Sequence, residues 1–551
     1  MTNEWTPKLI SLLREGISAQ QLKKDLSAGL IVGIIALPLA IAFAIASGVS
    51  PEKGILTAVV AGMVISMFGG SRVQIGGPTG AFIVIVLGIL RDYGADGLLA
   101  ATFLGGIILV LMGVLRLGQL LKYVPQTLIN GFTSGIAVII FTSQIRDALG
   151  LNAADIPDAF LEKWGYYLMH PGEANFLAVI LTVLSLGIMI GLPRLTRKIP
   201  PAFAAILICS LITLAADLPV ETIGSRFGDL SASFVKPALP RFGRADLKTL
   251  LPPAFTIALL GALESLLSAV VADGMIGGKH RSYMELIAQG MANMVSPLIG
   301  GLPATGAIAR TAANINAGGR TPVAGIIHAL TLLLIYLVAM PVVKYIPMAA
   351  LAGILIMVSW NMADFHGFIS VLKINRYEAA VLLLTFCLTI LTDLTVAVPL
   401  GFLLALILFM KRMADGVELT PLMQSKSEES RMFSRELGEI PEHVLFYELS
   451  GPMFFGSAHH LLKLSKDLQS SHSILILRFR YVPIVDASGL ARLKQLVSDL
   501  SDRNIKVLFS GVNEELKAKF IRNGILQEVF IFETAAEALS YGESCCGNMD
   551  L

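Results

Sequence analysis

Apolar runs of bilayer-spanning length recur along the chain from Leu26 to Met410 and then cease. The pattern predicts helical segments near 26–47, 52–68, 79–90, 97–115, 126–145, 174–192, 202–216, 254–272, 285–300, 306–317, 322–340, 347–360, 377–392 and 395–410. That is fourteen segments, and an even number returns the chain to the side it started from. Lys and Arg gather in the connections after even-numbered segments, among them Arg72, Arg116, Lys122, Arg194, Arg197, Lys279, Arg320 and Lys373. The stretch between Asp217 and Pro253, with five Lys/Arg of its own, is the exception. The balance of positive charge therefore places both termini in the cytosol.

Past Lys411-Arg412 the pattern changes. Residues 413–440 are polar and read as a linker. Beyond them "HVLFYEL" (443–449), "SILILRF" (473–479) and "IKVLFSG" (505–511) read as strands, alternating with helical patterns over 457–470, 488–501 and 514–523. Strand–helix alternation predicts a small cytosolic α/β domain over 441–541, followed by a tail at 542–551. Residues 1–25, with Lys8, Arg14, Lys23 and Lys24 and no cleavage-site pattern, read as a cytosolic lead-in to the membrane region at 26–412.

Composition agrees with this plan. Charged residues make up 15% of the 551 and the mean hydropathy is +0.73, against about 25% charged in soluble domains. A formal net charge of +2 with no basic domain argues against a nucleic-acid partner. Cys209 and Cys387 lie in apolar segments and Cys545-Cys546 are adjacent, so no disulfide framework or metal spacing is visible. No nucleophile–base pair or phosphate loop appears. An enzyme and a cofactor are not expected.

The most informative feature is a broken helix. "QIGGPTGAF" (74–82) interrupts one of the most apolar regions, and "GGLPATGAIAR" (300–310) repeats its Thr-Gly-Ala core in the second half. Flanking landmarks keep step. Pro38 precedes Thr79 by as many residues as Glu264 precedes Thr305, and Val124-Pro125 and Ile346-Pro347 open segments at similar distances downstream. Segments three and ten thus hold equivalent places in two seven-segment repeats, about 26–216 and 254–410. Because seven is odd, the second repeat is inverted, a plan shared by many secondary transporters. Two half-helices meeting near the midplane each present unpaired N–H groups and about half a positive charge, which suits an anion. Thr79, Gly80, Ala81, Thr305 and Gly306 are accordingly candidate substrate residues.

Ionisable residues inside the spans are few. Glu264 is the deepest, and a carboxylate there is a functional candidate by default, here for proton coupling. Arg310, one turn into segment ten, is expected to pair with Glu264 in the empty site and with the anion in the filled one. Asp273, Lys279, His280 and Arg281 read as an interfacial helix end, Asp393 as a cap between the last two segments, and His328 as a packed helix residue. Phe43 walls either the cavity or the core.

Taken together, "GIIALPLAIAFAIASGVSPEKGILTA", "GGPTGAF", "ATGAIARTAANINAGGRTPVAG" and "VPIVDASGLARL" resemble the SulP anion transporters, sulfate-permease relatives that carry a cytosolic STAS domain. The resemblance runs from Asp25 to Leu539. It implies a polytopic α-helical membrane protein of fourteen segments as a 7+7 inverted repeat, with core and gate domains, an elevator-like core movement and a homodimer. It also implies residence in a bacterial-type inner membrane. Carried over residue by residue, it implies a site lined by Leu39 and Phe43, by Gly80 and Ala81, by Ala309 and Arg310, and by Glu264 with Ser268. In the STAS domain Ser488 matches a phosphorylatable serine of bacterial anti-sigma antagonists, or is simply a helix N-cap. Sodium-coupled bicarbonate members resemble this chain but tend to have Asp at the position of Glu264 and no arginine at that of Arg310. The "GALESLL", "ATGAIAR" and "VSWNMAD" patterns look closer to proton-coupled bacterial members that carry four-carbon dicarboxylates. The expectation is proton-coupled symport of an anion, dicarboxylate ahead of sulfate and bicarbonate. A sodium-coupled bicarbonate symporter or an exchanger of the same family is the alternative within transport, beside a nucleobase permease of the same repeat plan. A membrane-anchored STAS signalling protein is the alternative of another class.

Overall fold

The computed structural model describes residues 4–119, 125–151, 156–157, 159–196, 199–228, 236–240, 247–392, 394–421, 428, 440–441, 443–457, 473–525 and 529–546. Asp393 and most of the helix expected over 457–470 lie outside them. The chain divides into two units, Met1–Leu403 and Leu404–Leu551.

The first unit opens with α1 (Lys8–Glu15), α2 (Ala19–Ala46) and α3 (Pro51–Phe68). A two-residue strand, β1 (Gly76–Gly77), leads into α4 (Phe82–Val114). Then come α5 (Gln126–Leu149), α6 (Phe160–Met169), α7 (Phe176–Leu195), α8 (Pro201–Ala215) and α9 (Ile223–Phe227). The second half repeats the order with α10 (Leu247–Ile276), α11 (Ser282–Leu298), β2 (Thr305–Gly306), α12 (Ile308–Asn316), α13 (Val323–Val343) and α14 (Met348–Met362). It closes with α15 (Phe365–Ile374), α16 (Arg376–Leu391) and α17 (Leu394–Asp415), the last continuing into the second unit. Each expected segment falls on a helix or part of one. Segments three and four merge into α4, which is bent at Gly94, where φ +70° and ψ −172° suit only glycine. Eight helical stretches among the described residues are long and apolar enough to cross a membrane unaided.

Helix packing separates the first unit into two bundles. In one, α2 packs on α13 and α3, while α4 packs on α10 and α11 and α10 on α12. In the other, α5 packs on α14 and α16, and α7 on α14 and α8. Exchanging equivalent segments of the two repeats converts α4–α10 into α13–α2, α4–α11 into α13–α3, and α5–α16 into α14–α7. This pairing of contacts is what a two-fold relation between repeats produces.

Small residues let these helices touch. A methyl group on Gly106 of α4 would lie 2.7 Å from the Gly290 carbonyl oxygen of α11, and one on Gly290 would lie 2.6 Å from that of Gly106. Polar side chains tie down the connections. Asp25, fully buried, accepts from the Arg320 amide at 2.8 Å and the Thr321 hydroxyl at 2.7 Å; Glu285 accepts from the Gly70 and Ser71 amides at 2.8 and 3.0 Å. Outside the spans, Arg226 donates to Asp147 at the end of α5 and to Glu221. Burial alone would raise the Glu221 carboxyl, but the hydrogen bond and charge of Arg226 outweigh it and hold the group below its ordinary value.

The second unit is an α/β domain with a five-stranded sheet in the order β3 (Glu418–Pro421), β4 (Val444–Ser450), β5 (Ile474–Tyr481), β6 (Lys506–Ser510) and β7 (Phe530–Phe532). β3 is antiparallel to β4 and the rest run parallel. The strand β3 lies within the stretch expected to be linker. Alternation puts Leu475, Leu477 and Phe509 on one face, and Phe446, Ile476 and Leu508 on the other. The helices are α18 (Ala487–Ser501), α19 (Glu514–Arg522) and α20 (Ala535–Cys546), so regular structure continues into the expected tail.

Gly106→Val is expected to lower the thermal midpoint of the detergent-solubilised protein, by overpacking worth about 1–3 kcal/mol or more. Gly187→Ala on α7, where a methyl meets no atom within 4 Å, is expected to leave it unchanged. A second thermal series tests the Arg226 clasp. A depressed Glu221 contributes stability above the usual carboxylate range and loses it as pH falls through the lowered value. The difference in midpoint between wild type and Arg226→Ala is therefore expected to shrink below about pH 4.

Candidate functional site

The two helix breaks meet. β1 and β2 pair antiparallel, Gly76 opposite Gly306 and Gly77 opposite Thr305, so the leads into α4 and α12 form one short ladder. Irregular backbone inside an apolar bundle must find its hydrogen bonds within the protein. Side chains from three helices complete the accounting. Asn293 of α11 donates to the Ala304 carbonyl at 2.7 Å and accepts from its amide at 2.9 Å. Gln74 donates to the Ser265 carbonyl at 3.2 Å, and Thr311 accepts from the Ile75 amide at 3.1 Å. Thr305 and Ser265 share a hydroxyl–hydroxyl bond of 2.6 Å.

From this ladder α4 and α12 depart: the Phe82 and Ile83 amides of α4 donate to the Thr79 and Gly80 carbonyls at 3.3 and 3.1 Å, while the first amides of α12 precede the Thr311–Ala307 bond at 2.9 Å that opens its ladder. Their mouths line a cavity of about 490 Å³. The bundle of α2, α4, α10 and α12 contributes Leu39, Phe43, Thr79, Gly80, Ala81, Glu264, Gly306, Ala309 and Arg310. Nine of the sequence-derived candidates thus share one cavity. Two others do not line it. Thr305 is fully buried behind the ladder, and Ser268, 1% exposed, donates to Thr311 at 3.4 Å. Both hold the ladder rather than face the opening. Ser488 lies in the second unit, exposed within the first turn of α18. The cap of that helix is Asp486, whose carboxylate accepts from the Gly489 amide at 2.7 Å. The N-cap reading of Ser488 is thereby corrected.

The charges are arranged differently from the expected pair. Glu264 accepts from the Thr79 hydroxyl at 2.9 Å. Arg310, 3% exposed, donates instead to the Pro78 carbonyl and lies against Gly77, whose φ of +150° and missing side chain admit the guanidinium. Each charge of the second repeat is therefore engaged with the break of the first. His328 is fully buried against Gly62. His280 bonds Asp273 at 2.7 Å through both its amide and its ring at the end of α10.

The opposite wall was not anticipated. Gln126, Asn130 and Thr133 of α5, Asn361 of α14 and Asp364 line the same cavity from the second bundle. Gln126 donates to Asn130 at 2.9 Å, while Asp364 sits at φ +37° and caps α15 by accepting from Gly367 at 3.2 Å. The only signal for them was polar residues at the ends of segments five and twelve. Among the described residues no group of three His, Cys, Asp or Glu side chains is placed to hold a metal.

Comparison with known proteins agrees with this architecture. Residues 22–385 match the Sulfate permease family and residues 438–538 the STAS domain. YvdB of Bacillus subtilis, whose name assigns it provisionally to sulfate transport, is 39% identical over 94% of this chain and 96% of its own. The solved transmembrane domain of the bicarbonate transporter BicA from a cyanobacterium covers 71% of this chain and 98% of its own, at 30% identity and a TM-score of 0.62. The murine Solute Carrier 26 family member A9 anion transporter, solved in an inward-facing state, shares the fold over 98% of this chain and 94% of its own, with a TM-score of 0.86 at 17% identity.

Gly306→Ala tests the ladder. An added methyl collides with the Gln74 side chain, so the substitution is expected to part β1 from β2. Anion-induced thermal stabilisation should then fall, with affinity weakened about tenfold or more. Retention of the full stabilisation would show that the ladder does not set the anion site.

Proposed function

The chain belongs to the sulfate permease family, and from that premise we propose that this membrane anion transporter is a proton-coupled symporter with a preference for four-carbon dicarboxylates over sulfate and bicarbonate. The observation that carries the reading is the crossed engagement of Glu264 with Thr79 and Arg310 with Pro78 in one cavity between two bundles. Protonation neutralises Glu264. A dianion then docks on the first-turn amides of α4 and α12 and on Arg310, whose planar fork matches a carboxylate. The bundle carrying these groups moves against the bundle of α5 and α14, opens the cavity to the other side and releases anion and proton together. Cavity volume and the amides of Gln126, Asn130 and Asn361 favour a substrate longer than a bare oxyanion. An inner-membrane homodimer with both termini in the cytosol belongs to the same proposal.

A sodium-coupled bicarbonate symporter is the second reading. It is favoured by the hydroxyl cluster of Ser265, Thr305, Ser268 and Thr311 beside Glu264, a set of hard oxygen donors. Uptake into proteoliposomes separates the two. With labelled dicarboxylate, sulfate and bicarbonate at matched membrane potential, an inward proton gradient is expected to drive dicarboxylate accumulation and a sodium gradient is not. Glu264→Gln is expected to abolish gradient-driven accumulation while anion exchange persists. Equal uptake with and without the proton gradient would falsify the coupling.

A further inference from the structure

Next to the anion cavity is a smaller chamber of about 90 Å³. Leu128 and Phe132 of α5 wall it from one bundle, Leu260 and Leu263 of α10 from the other. Residues three or four apart share a helix face, so each pair presents one apolar stripe to the space. Ile129, Thr133, Glu264, Leu267 and Ile308 line the chamber and the main cavity alike, so the two adjoin.

The chamber is apolar in all but one group. Thr133 spends its hydroxyl on the Ile129 carbonyl at 2.9 Å, and the Thr385 hydroxyl is shut away from solvent beside Gly401. Glu264 alone remains, and a held water needs two to four polar partners. A cavity of this kind stays dry and takes apolar guests: one of about 150 Å³ lined by Leu, Ile and Phe takes a benzene ring. On that scale the smaller volume suits a branch of about three carbons and rejects a bilayer acyl chain.

Ile308 points the same way. It is the first residue of α12, at one of the two helix termini that face the cavity, yet its large apolar side chain is 40% exposed. A bare oxyanion gains nothing from such a contact and loses hydration to it. A hydrocarbon branch carried by the anion gains from it directly.

We propose that this chamber is a subsite for a short alkyl branch, so that the protein binds an organic anion carrying such a branch more tightly than the same anion without it. The proposal rests on the reading of the main cavity as the anion site. The charged head docks at the termini of α4 and α12 and on Arg310, and the branch passes Ile308 and Leu267 into the chamber. Each methylene buried there tightens binding about fourfold. Sulfate and bicarbonate have no branch to place in it, and an unbranched dicarboxylate leaves it empty.

The test uses the full chain in detergent, with wild type, Leu263→Trp and Leu263→Ala; Leu263 walls the chamber and not the main cavity. Affinities are read from anion-induced thermal stabilisation for two series with the same branches. One is succinate, bare and with methyl, ethyl or propyl at carbon two; the other is methane-, ethane- and propanesulfonate. In wild type each added carbon is expected to tighten binding about fourfold. Leu263→Trp fills the chamber and is expected to bring the ratio of branched to bare affinity close to one. Leu263→Ala enlarges it and should extend the gain to pentylsuccinate, on which wild type gains nothing further. A flat wild-type series in both sets overturns the proposal. So does a gain that survives Leu263→Trp, which seats the branch elsewhere, or an optimum that Leu263→Ala does not lengthen. Sulfonates that tighten with length while no succinate binds uphold the chamber and bring down the dicarboxylate preference instead. Absence of stabilisation by every member brings down the anion-site reading and this proposal with it.

Discussion

Backbone exposed in the middle of an apolar bundle has nowhere to find water, and two interrupted segments double the difficulty. Here each break satisfies the other. β1 and β2 exchange backbone bonds across the repeat boundary, and Asn293, Gln74 and Thr311 take up what the two-residue ladder leaves over. The rest of the site follows from that junction. It sets where α4 and α12 begin, and so where their N-termini point. It also brings Gly77 against the Arg310 guanidinium, where any side chain would collide. The junction thus ties one bundle together and cradles the cavity.

A second constraint is that the cavity has walls of different allegiance. Thr79, Glu264 and Arg310 are joined through the ladder into one bundle. Asn130, Asn361 and Asp364 belong to the opposing bundle. In a transporter working by relative bundle movement, the first group holds the anion throughout and the second touches it in one position alone. Contacts of the first kind lower the energy of every loaded state alike. Contacts of the second kind change the balance between states, and only such differential contacts shift a conformational equilibrium.

Much of this organisation was legible in the chain itself. The segment pattern, the echo of "PTGA" and "ATGA", and the isolation of Glu264 and Arg310 all rest on composition and spacing, which a bilayer constrains strongly. What sequence left open was rotation and depth. In "GALESLLSA" Glu264 and Ser268 stand one turn apart, so helical spacing put both on the cavity face, yet Ser268 is buried and turns to Thr311. Thr305 sits beside residues that do line the opening, but as part of a strand it points behind the ladder. A two-residue strand has no periodicity to detect. The wall of Asn130 and Asn361 was hidden because a polar residue near a segment end reads as membrane interface. At α18 two neighbouring cap formers competed, and Asp486 takes the bond expected of Ser488.

Charge accounting connects the site to the proposed coupling. With Glu264 ionised, the bundle of α2, α4, α10 and α12 presents one negative and one positive side chain to the cavity. A dianion entering that arrangement brings two negative charges, of which the helix termini, at about half a charge each, offset one. One proton on Glu264 removes the charge that remains. A monoanion needs no such help, since Arg310 and Glu264 already cancel and the termini supply about one positive charge between them. On this reading the stoichiometry is set by the valence of the cargo rather than by a separate coupling device. The glutamate then works as an adjustable counter-charge, and the hydroxyl of Thr79 donates to it while it is ionised and turns to accept from it once it carries the proton.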